Sequence, residues 1–245
     1  SCAWGKPSEA FGQGGLMFDG TRHIARLPGP PYHFMSRVTR VKGQMGSMQK
    51  GASIELEYDI PPDAWYFREN AAPKMPYCVL LEAVLQPCGW LAVFIGCPAA
   101  ADGDVFFRNL DGTGTVHRAL GPNDGTLCTR TELTSISKVG PITLVSFKVA
   151  CTDAAGEPVY TLTTGFGFFP GEALAEQVGM PVTDEQRARL AEPSGFALDL
   201  TERPARYFQG APRLPGKMLL MIDRISGYWP GGGSKGLGRL RAEKR

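Results

Sequence analysis

The side chains best suited to chemistry in this chain are a carboxylate and an amide one helical turn apart, Glu82 and Gln86. They lie in a stretch whose apolar residues recur at intervals of three and four, which predicts a helix from Pro76 to about Ile95. Burying a carboxylate in such a helix is costly, and an amide four residues on shares its face and can hydrogen-bond it. The pair therefore predicts a carboxyl group that is held in place by the amide and is suited to general acid–base chemistry. A structural carboxylate, satisfied by Gln86 or by Arg68, is the alternative.

This helix must be positioned by a sheet, because it is apolar nearly all round and has to be buried. Alternating or apolar runs predict strands on both sides of it: residues 22–27, 33–42, Ser53–Ile60, Val105–Leu110, Thr113–Leu120, Gly125–Lys138, Pro141–Thr152 and Glu157–Phe169, with a weaker signal at Gly15–Phe18. One buried helix among many antiparallel strands predicts an α+β fold in which the sheet wraps round the helix.

Composition narrows the partners and the compartment. The chain has 26 Lys and Arg against 24 Asp and Glu, a balance that indicates neither a nucleic-acid nor a membrane-surface partner. No stretch approaches the roughly 18 apolar residues of a membrane span. The six cysteines lack CxxC spacing, which argues against a zinc site and predicts reduced, mostly buried thiols and a cytoplasmic location.

A twelve-residue pattern occurs twice. Leu27–Val38 returns as Leu214–Ile225, at one offset of 214 − 27 = 187 residues. This offset is far longer than the about 20 to 50 residues of solenoid repeats, so it predicts two tandem copies of one domain. We expect a first domain over 1–170, a connector with short helices over 171–213, and the opening strands of a second, truncated copy over 214–245. In the second copy, strands are predicted at Lys217–Ile225 and Leu237–Lys244, and their exposed apolar residues predict self-association.

The segment Trp65–Trp90 resembles a known family, the hotdog-fold 3-hydroxyacyl-ACP (beta-hydroxydecanoyl-ACP-like) dehydratases. Their signature is an aromatic run, HFxGDPxMPG, then a helix bearing an acid and a Gln four residues later. The residues that match it without a gap are Pro73, Met75, Pro76, Cys78, Leu81, Glu82, Ala83 and Gln86. More closely, the pattern resembles the first hotdog of a dehydratase domain in a polyunsaturated fatty acid or polyketide-type synthase, where two hotdogs share one chain.

The resemblance implies a hotdog fold and a lyase that dehydrates 3-hydroxyacyl groups. It implies Glu82 and Gln86 as catalytic residues and Met75, Tyr77 and Cys78 as substrate-binding residues. It implies no metal or other cofactor, since the substrate is carried on the phosphopantetheine of an acyl carrier protein. The implied partners are that carrier and a second hotdog of the same polyprotein, with a homodimer as a further possibility.

One departure from the family pattern affects the mechanism. The position of the family's catalytic His, five residues before Pro73, holds Arg68, and an arginine cannot act as a base near neutral pH. Tyr77 also replaces the small motif Gly. The resemblance therefore implies a composite site in which Glu82 faces a His of the second hotdog, while this segment alone is inactive.

Several alternatives stay open at this stage. The chain could be an inert structural pseudo-hotdog or, less favoured, a hotdog acyl thioesterase. A structural role is favoured for Arg68 over contact with a phosphate. Cys78 and Cys88 are expected in the core, and the histidines His33 and His117 on strands without a catalytic task.

Overall fold

The computed structural model describes residues 5–20, 23–100, 103–175 and 177–245. The chain divides into two compact units. The first unit comprises Ser1–Ala64 and Lys74–Gln177, and the second comprises Trp65–Pro73 and Val178–Arg245. The long apolar helix and the large sheet belong to the first unit.

The first unit is built on a six-stranded antiparallel sheet with the order β1-β2-β4-β5-β6-β3. Its strands are β1 Arg37–Lys42, β2 Ser53–Asp59, β3 Val105–Val116, β4 Thr126–Val139, β5 Ile142–Asp153 and β6 Pro158–Pro170. Alternation sets their faces: in β5, Val145, Phe147, Val149 and Cys151 are each 1% exposed, and the residues between them are less buried. These side chains form the sheet's contribution to the core.

The helices of the first unit are α1 Pro7–Phe11, α3 Tyr77–Phe94 and α4 Gly171–Ala175, with 3-10 segments at Gly12–Phe18 and Cys97–Ala100. Helix α3 packs on β2, β4 and β5. It is the one described helix long and apolar enough to cross a membrane by length and composition, and 61% of it is buried inside the fold, as expected of a core helix.

The second unit carries the helices α2 Trp65–Glu69, α5 Asp184–Ala191 and α6 Ala205–Phe208 and a sheet of three strands, β7 Leu198–Asp199, β8 Arg224–Trp229 and β9 Arg239–Glu243. A capping box starts α5, because Thr183 and Gln186 each bond the other's backbone N–H. The first two residues of β8, Arg224 and Ile225, end the repeated segment Leu214–Ile225.

The α+β hotdog architecture predicted from the sequence is confirmed: one long buried helix packs on an antiparallel sheet. Several local predictions are wrong. Gly15–Phe18 belongs to a 3-10 helix, and the two strands predicted over 105–120 are the single strand β3 and a loop. Residues 23–27 form no strand, although the His23 carbonyl accepts a hydrogen bond from the Val105 N–H at 2.9 Å. Residue 22 lies outside the described residues.

The second copy also differs from its prediction at one point. Residues 217–222 form no strand, because the chain turns at Gly216, whose carbonyl accepts hydrogen bonds from the backbone N–H groups of Leu219 and Leu220 at 3.1 and 3.0 Å. The strand begins at Arg224 instead, and the strand predicted at Leu237–Lys244 is present as Arg239–Glu243. The domain boundaries predicted from the repeat stay a prediction.

Candidate functional site

Gln86 is the central polar residue of helix α3 and is 2% exposed. Its Oε1 accepts a hydrogen bond from the backbone N–H of Phe34 at 2.8 Å. Its Nε2 donates to the carbonyl of Tyr32 at 2.6 Å and to Oε1 of Glu82 at 3.1 Å. A buried amide must find such partners, and here they are two backbone groups and a carboxylate. Gln86 therefore fixes both the segment at 32–34 and one oxygen of Glu82.

Glu82 is half-buried on the same face of α3, one turn before Gln86. Among the described residues, the hydrogen bond from Gln86 is the one that its carboxylate makes. Since that bond engages Oε1, the other oxygen remains able to bind a ligand. The sequence predicted this pairing, and the structure brings the two side chains together as predicted.

The surroundings of Glu82 form what we call the open face of α3, namely Cys78, Leu81, Glu82 and Leu85. These four residues are exposed or half-buried, whereas the positions between them on the helix are buried. Two of them are apolar. A partly exposed apolar surface lies beside a carboxylate that has one oxygen available for a hydrogen bond. Such a surface is suited to a ligand that carries both a polar group and a hydrocarbon part.

Tyr32 lies beside this face and was not found from the sequence. Burial raises the pKa of its phenol, and the charges of Cys78 and Glu82 raise it further. The phenol therefore stays protonated at neutral pH and can donate a hydrogen bond. No periodicity marked Tyr32, because it is placed by the hydrogen bond between its carbonyl and Gln86.

The other predicted substrate-binding residues differ in position. Cys78 precedes Glu82 by one turn and shares its face. Tyr77 is 55% exposed, but its hydroxyl lies 3.0 Å from that of Tyr160 on β6, about 140° round the helix from Glu82. Met75 is 7% exposed and is held by its backbone N–H, which donates to Leu120 at 2.8 Å. Of the three, Cys78 alone adjoins the acid.

The cysteines are mostly as predicted. Cys88 is fully buried, and burial raises the pKa of its thiol. Cys78 is exposed, so its predicted place in the core is wrong. It occupies the second position of α3, next to Tyr77, which is also exposed.

Arg68 lies in the second unit, on the short helix α2, and its side chain is exposed. Its backbone carbonyl accepts a hydrogen bond from the guanidinium of Arg213 at 3.2 Å, and that of Asn70 accepts a second at 2.5 Å. Arg213, the last residue of the predicted connector, thus binds the end of α2. A guanidinium offers donors and no acceptor, so it supplies no base.

The three histidines of the chain are all described. Each contacts a partner away from Glu82: His33 Nδ1 lies 3.3 Å from the Pro28 carbonyl, His117 Nε2 lies 3.1 Å from Thr161 Oγ1, and the His23 ring stacks on Phe106 at 4.5 Å. Among the described residues, no imidazole is hydrogen-bonded to Glu82. In the part of the chain that the structure describes, the carboxylate of Glu82 is therefore paired with the Gln86 amide and with no imidazole.

Comparison with known proteins identifies the family of this chain. Residues 27–161 match the model of the FabA-like domain. The chain is 31% identical over 210 residues to one component of a polyunsaturated fatty acid synthase from Thraustochytrium sp.. That alignment covers 77% of this chain and 14% of the synthase component, so the chain spans a small part of its relative.

Solved structures with a similar chain path include both dehydratases and thioesterases. A dehydratase heterocomplex from Xenorhabdus doucetiae has 14% identity and a TM-score of 0.46, over 60% of this chain and 90% of the other. A thioesterase mutant from Pseudomonas aeruginosa has 7% identity and a TM-score of 0.39, over 54% and 81%. At these TM-scores the likeness carries no functional weight. The family match covers more than half of the chain, and the protein belongs to the FabA-like domain family.

Proposed function

We propose that this chain supplies the acid-bearing half of a dehydratase, a hydro-lyase that acts on 3-hydroxyacyl thioesters carried on acyl carrier protein in polyunsaturated fatty acid or polyketide-type biosynthesis. The proposal rests on the carboxylate of Glu82. Gln86 donates a hydrogen bond to its Oε1, and the carboxylate makes no other hydrogen bond among the described residues. A positioned carboxyl group with one occupied oxygen leaves the other for the substrate hydroxyl.

In the proposed reaction, a base removes the proton from C2 of the acyl group while the bond between C3 and its hydroxyl breaks. The carboxyl of Glu82 donates a proton to the departing hydroxyl, which leaves as water, and the electron pair from the C2–H bond forms the C2=C3 double bond. No electrons are gained or lost overall, so this reaction calls for no redox cofactor. General acid catalysis of this kind raises the rate by a factor of roughly 10² to 10⁴.

The base must come from outside the described site. Arg68 stands where the family has His, and no imidazole hydrogen-bonds Glu82 among the described residues. A His from a second hotdog fits this requirement, since its ordinary pKa of about 6.5 suits proton abstraction near neutral pH. The acyl carrier protein is the second proposed partner, as the source of the thioester.

The edges of the six-stranded sheet support a hotdog partner. Strand β1 ends the sheet with basic side chains at Arg37, Arg40 and Lys42, which discourage further strand pairing. Strand β3, 12 residues long, ends the other side, and after Arg108 it carries no basic residue and is exposed throughout. A long, unprotected edge of this kind is suited to pairing with another sheet.

The test is the activity of the native polypeptide that contains this chain, with a 3-hydroxyacyl-ACP substrate. We expect Glu82→Gln to lower turnover by about 10² to 10⁴, because the amide keeps the shape and cannot donate the proton. The matched control is Glu132→Gln, at an exposed position of β4, which should keep full turnover.

Unchanged turnover in Glu82→Gln would reject the catalytic role and leave the chain as a structural half. The same assay should follow free thiol. Release of thiol without formation of a 2-enoyl product would instead identify a thioesterase.

A further inference from the structure

Charge is distributed unevenly between the two units. The second unit has 13 Lys and Arg against 8 Asp and Glu, a net charge of +5. The first unit has the remaining 26 − 13 = 13 against 24 − 8 = 16, a net charge of −3. Within the second unit, residues 203–222, which we call the basic segment, hold four basic residues and no Asp or Glu. The basic segment follows residue 161, at which the match to the family model ends.

The basic segment is a folded, closed excursion of the chain. At its base, the backbone N–H of Leu200 donates to the carbonyl of Asp223 at 2.9 Å. Farther along, the backbone N–H of Leu214 donates to the carbonyl of Tyr207 at 2.7 Å. One of the four basic residues, Arg213, uses its guanidinium to bind two backbone carbonyls at the end of α2. The other three basic residues therefore lie on an element whose backbone is held in place.

Two of these three side chains are held by aromatic rings. The Cζ atom of Arg203 lies 4.4 Å from the ring centroid of Phe208, and that of Arg206 lies 5.6 Å from the ring centroid of Tyr207. Stacking engages the face of a guanidinium and leaves the N–H groups at its edge able to donate. The third side chain, Lys217, is exposed, as are both arginines.

The arginines of α5 show the contrasting arrangement within the same unit. Arg187 lies 2.7 Å from Asp184, and Arg189 lies 2.5 Å from Glu185. The basic segment has no such neighbours: among the described residues, no carboxylate forms an ion pair with Arg203, Arg206 or Lys217. Its three exposed cations are therefore available to carboxylates from outside the chain.

We infer that Arg203, Arg206 and Lys217 form a docking surface for an acidic segment of a partner protein. A carboxylate has two oxygens that match the paired N–H groups of a guanidinium. Because the aromatic rings already hold the two arginines, binding orders few further side-chain torsions. Lipid-binding clusters carry about four to eight Lys and Arg, so three available cations favour the smaller and more directional contacts of a protein partner.

The experiment measures binding of fluorescently labelled poly-L-glutamate to the native polypeptide that contains this chain, by fluorescence anisotropy. At an ionic strength of about 0.15 M, charges farther apart than about 8 Å are largely screened, so local cations dominate the affinity. The test variant combines Arg203→Gln, Arg206→Gln and Lys217→Gln. The matched control combines Arg187→Gln, Arg189→Gln and Lys235→Gln, which removes the same charge from other exposed positions of the same unit.

The test variant should bind poly-L-glutamate about 10- to 100-fold more weakly, since each exposed ion pair contributes up to about fivefold in affinity. The control variant should bind nearly as well as the unaltered polypeptide. Circular dichroism verifies that both variants are folded. Absence of saturable binding by the unaltered polypeptide, or an equal loss of affinity in both variants, would overturn the inference.

Two further probes separate a protein partner from other polyanions. Heparin and vesicles of phosphatidylserine are titrated under the same conditions. Weaker binding of both than of poly-L-glutamate would support a protein partner. Tighter binding of either probe, lost in the test variant, would overturn the inference and assign the surface to a sulfated polysaccharide or to an anionic lipid.

Discussion

The two copies of the repeated pattern can be compared residue by residue. Strand β1 begins at Arg37 and strand β8 at Arg224, and 224 − 37 = 187 is the offset of the repeat. Each arginine also pairs with a glutamate on the next strand: Arg37 Nε lies 2.6 Å from Glu57 and Arg224 Nε lies 2.7 Å from Glu243. The local pattern is thus sufficient to start a strand and to pair its first residue.

The copies differ three residues before those arginines. Phe34 is 1% exposed, whereas Met221, at 34 + 187, is 69% exposed. In the first copy, Gln86 binds the backbone on both sides of His33 and brings Phe34 into the core. In the second copy, the chain turns at Gly216 instead. Burial of this segment therefore depends on a helix that carries the matching amide.

The largest contrast is expected from the paired substitutions Phe34→Ala and Met221→Ala. Phe34→Ala removes a fully buried ring and should lower the free energy of unfolding by about 3–5 kcal/mol. Met221→Ala removes an exposed side chain and should change it by less than about 0.5 kcal/mol. Urea titration followed by circular dichroism measures both. Equal losses would show that the second copy buries its methionine in solution.

Gln86→Leu tests the hydrogen bonds that distinguish the first copy. It removes the hydrogen bonds that Gln86 makes to the Phe34 N–H and the Tyr32 carbonyl, at about 1–3 kcal/mol each. We expect the Phe34 amide to exchange its proton faster, while the Met221 amide is unaffected. The control Gln44→Leu alters an exposed amide and should leave both rates unchanged. Slow exchange at Phe34 in the Gln86 variant would contradict this explanation.

The ion pairs of the two arginines should make small and similar contributions to the free energy of unfolding. Arg37 and Arg224 side chains are 51% and 43% exposed, and exposed ion pairs are worth about 0–1 kcal/mol. Arg37→Ala should lower the free energy of unfolding slightly more than Arg224→Ala does, because Arg37 also binds Asp59. Both losses should shrink at high ionic strength. Losses that persist unchanged in 1 M salt, where screening acts within about 3 Å, would indicate packing and not charge.

The smallest expected effect is the pH dependence of two carboxylates, Asp59, which binds Arg37 of the first copy, and Asp223, which lies in the second copy. Hydrogen bonds from Arg37 and then Thr126 lower the pKa of Asp59, and bonds from Lys244 and then the Arg245 backbone lower that of Asp223. A lowered pKa in the folded state stabilises it above the unfolded pKa near 4, and this stability is lost as the pH falls through the folded pKa.

Carboxyl NMR titration resolves the two groups. Arg37→Ala should return the pKa of Asp59 towards 3.8 and leave that of Asp223 unchanged. A pKa of Asp59 that does not respond would mean that Arg37 is not its main partner.

The sequence by itself determined the elements that depend on local patterns. The apolar period located α3, alternation located β2, β4, β5 and β6, and the spacing of Glu82 and Gln86 was enough to place them on one helical face. The capping box at Thr183 followed from two residues three positions apart. Each of these depends on neighbours within one or two turns, so periodicity carries the information.

The tertiary structure decided what depends on distant neighbours. Tyr32 and Phe34 are placed by an amide 54 and 52 residues away. Residues as far apart in sequence as Phe18, Gly89 and Phe107 line one apolar cavity. Residues 23–27 have the composition of a strand, yet they form none, and a single backbone hydrogen bond joins His23 to the start of β3. Contacts between segments far apart in sequence decide which backbone groups are hydrogen-bonded and which apolar surfaces stay exposed. The spacing of residues within one element does not contain that information.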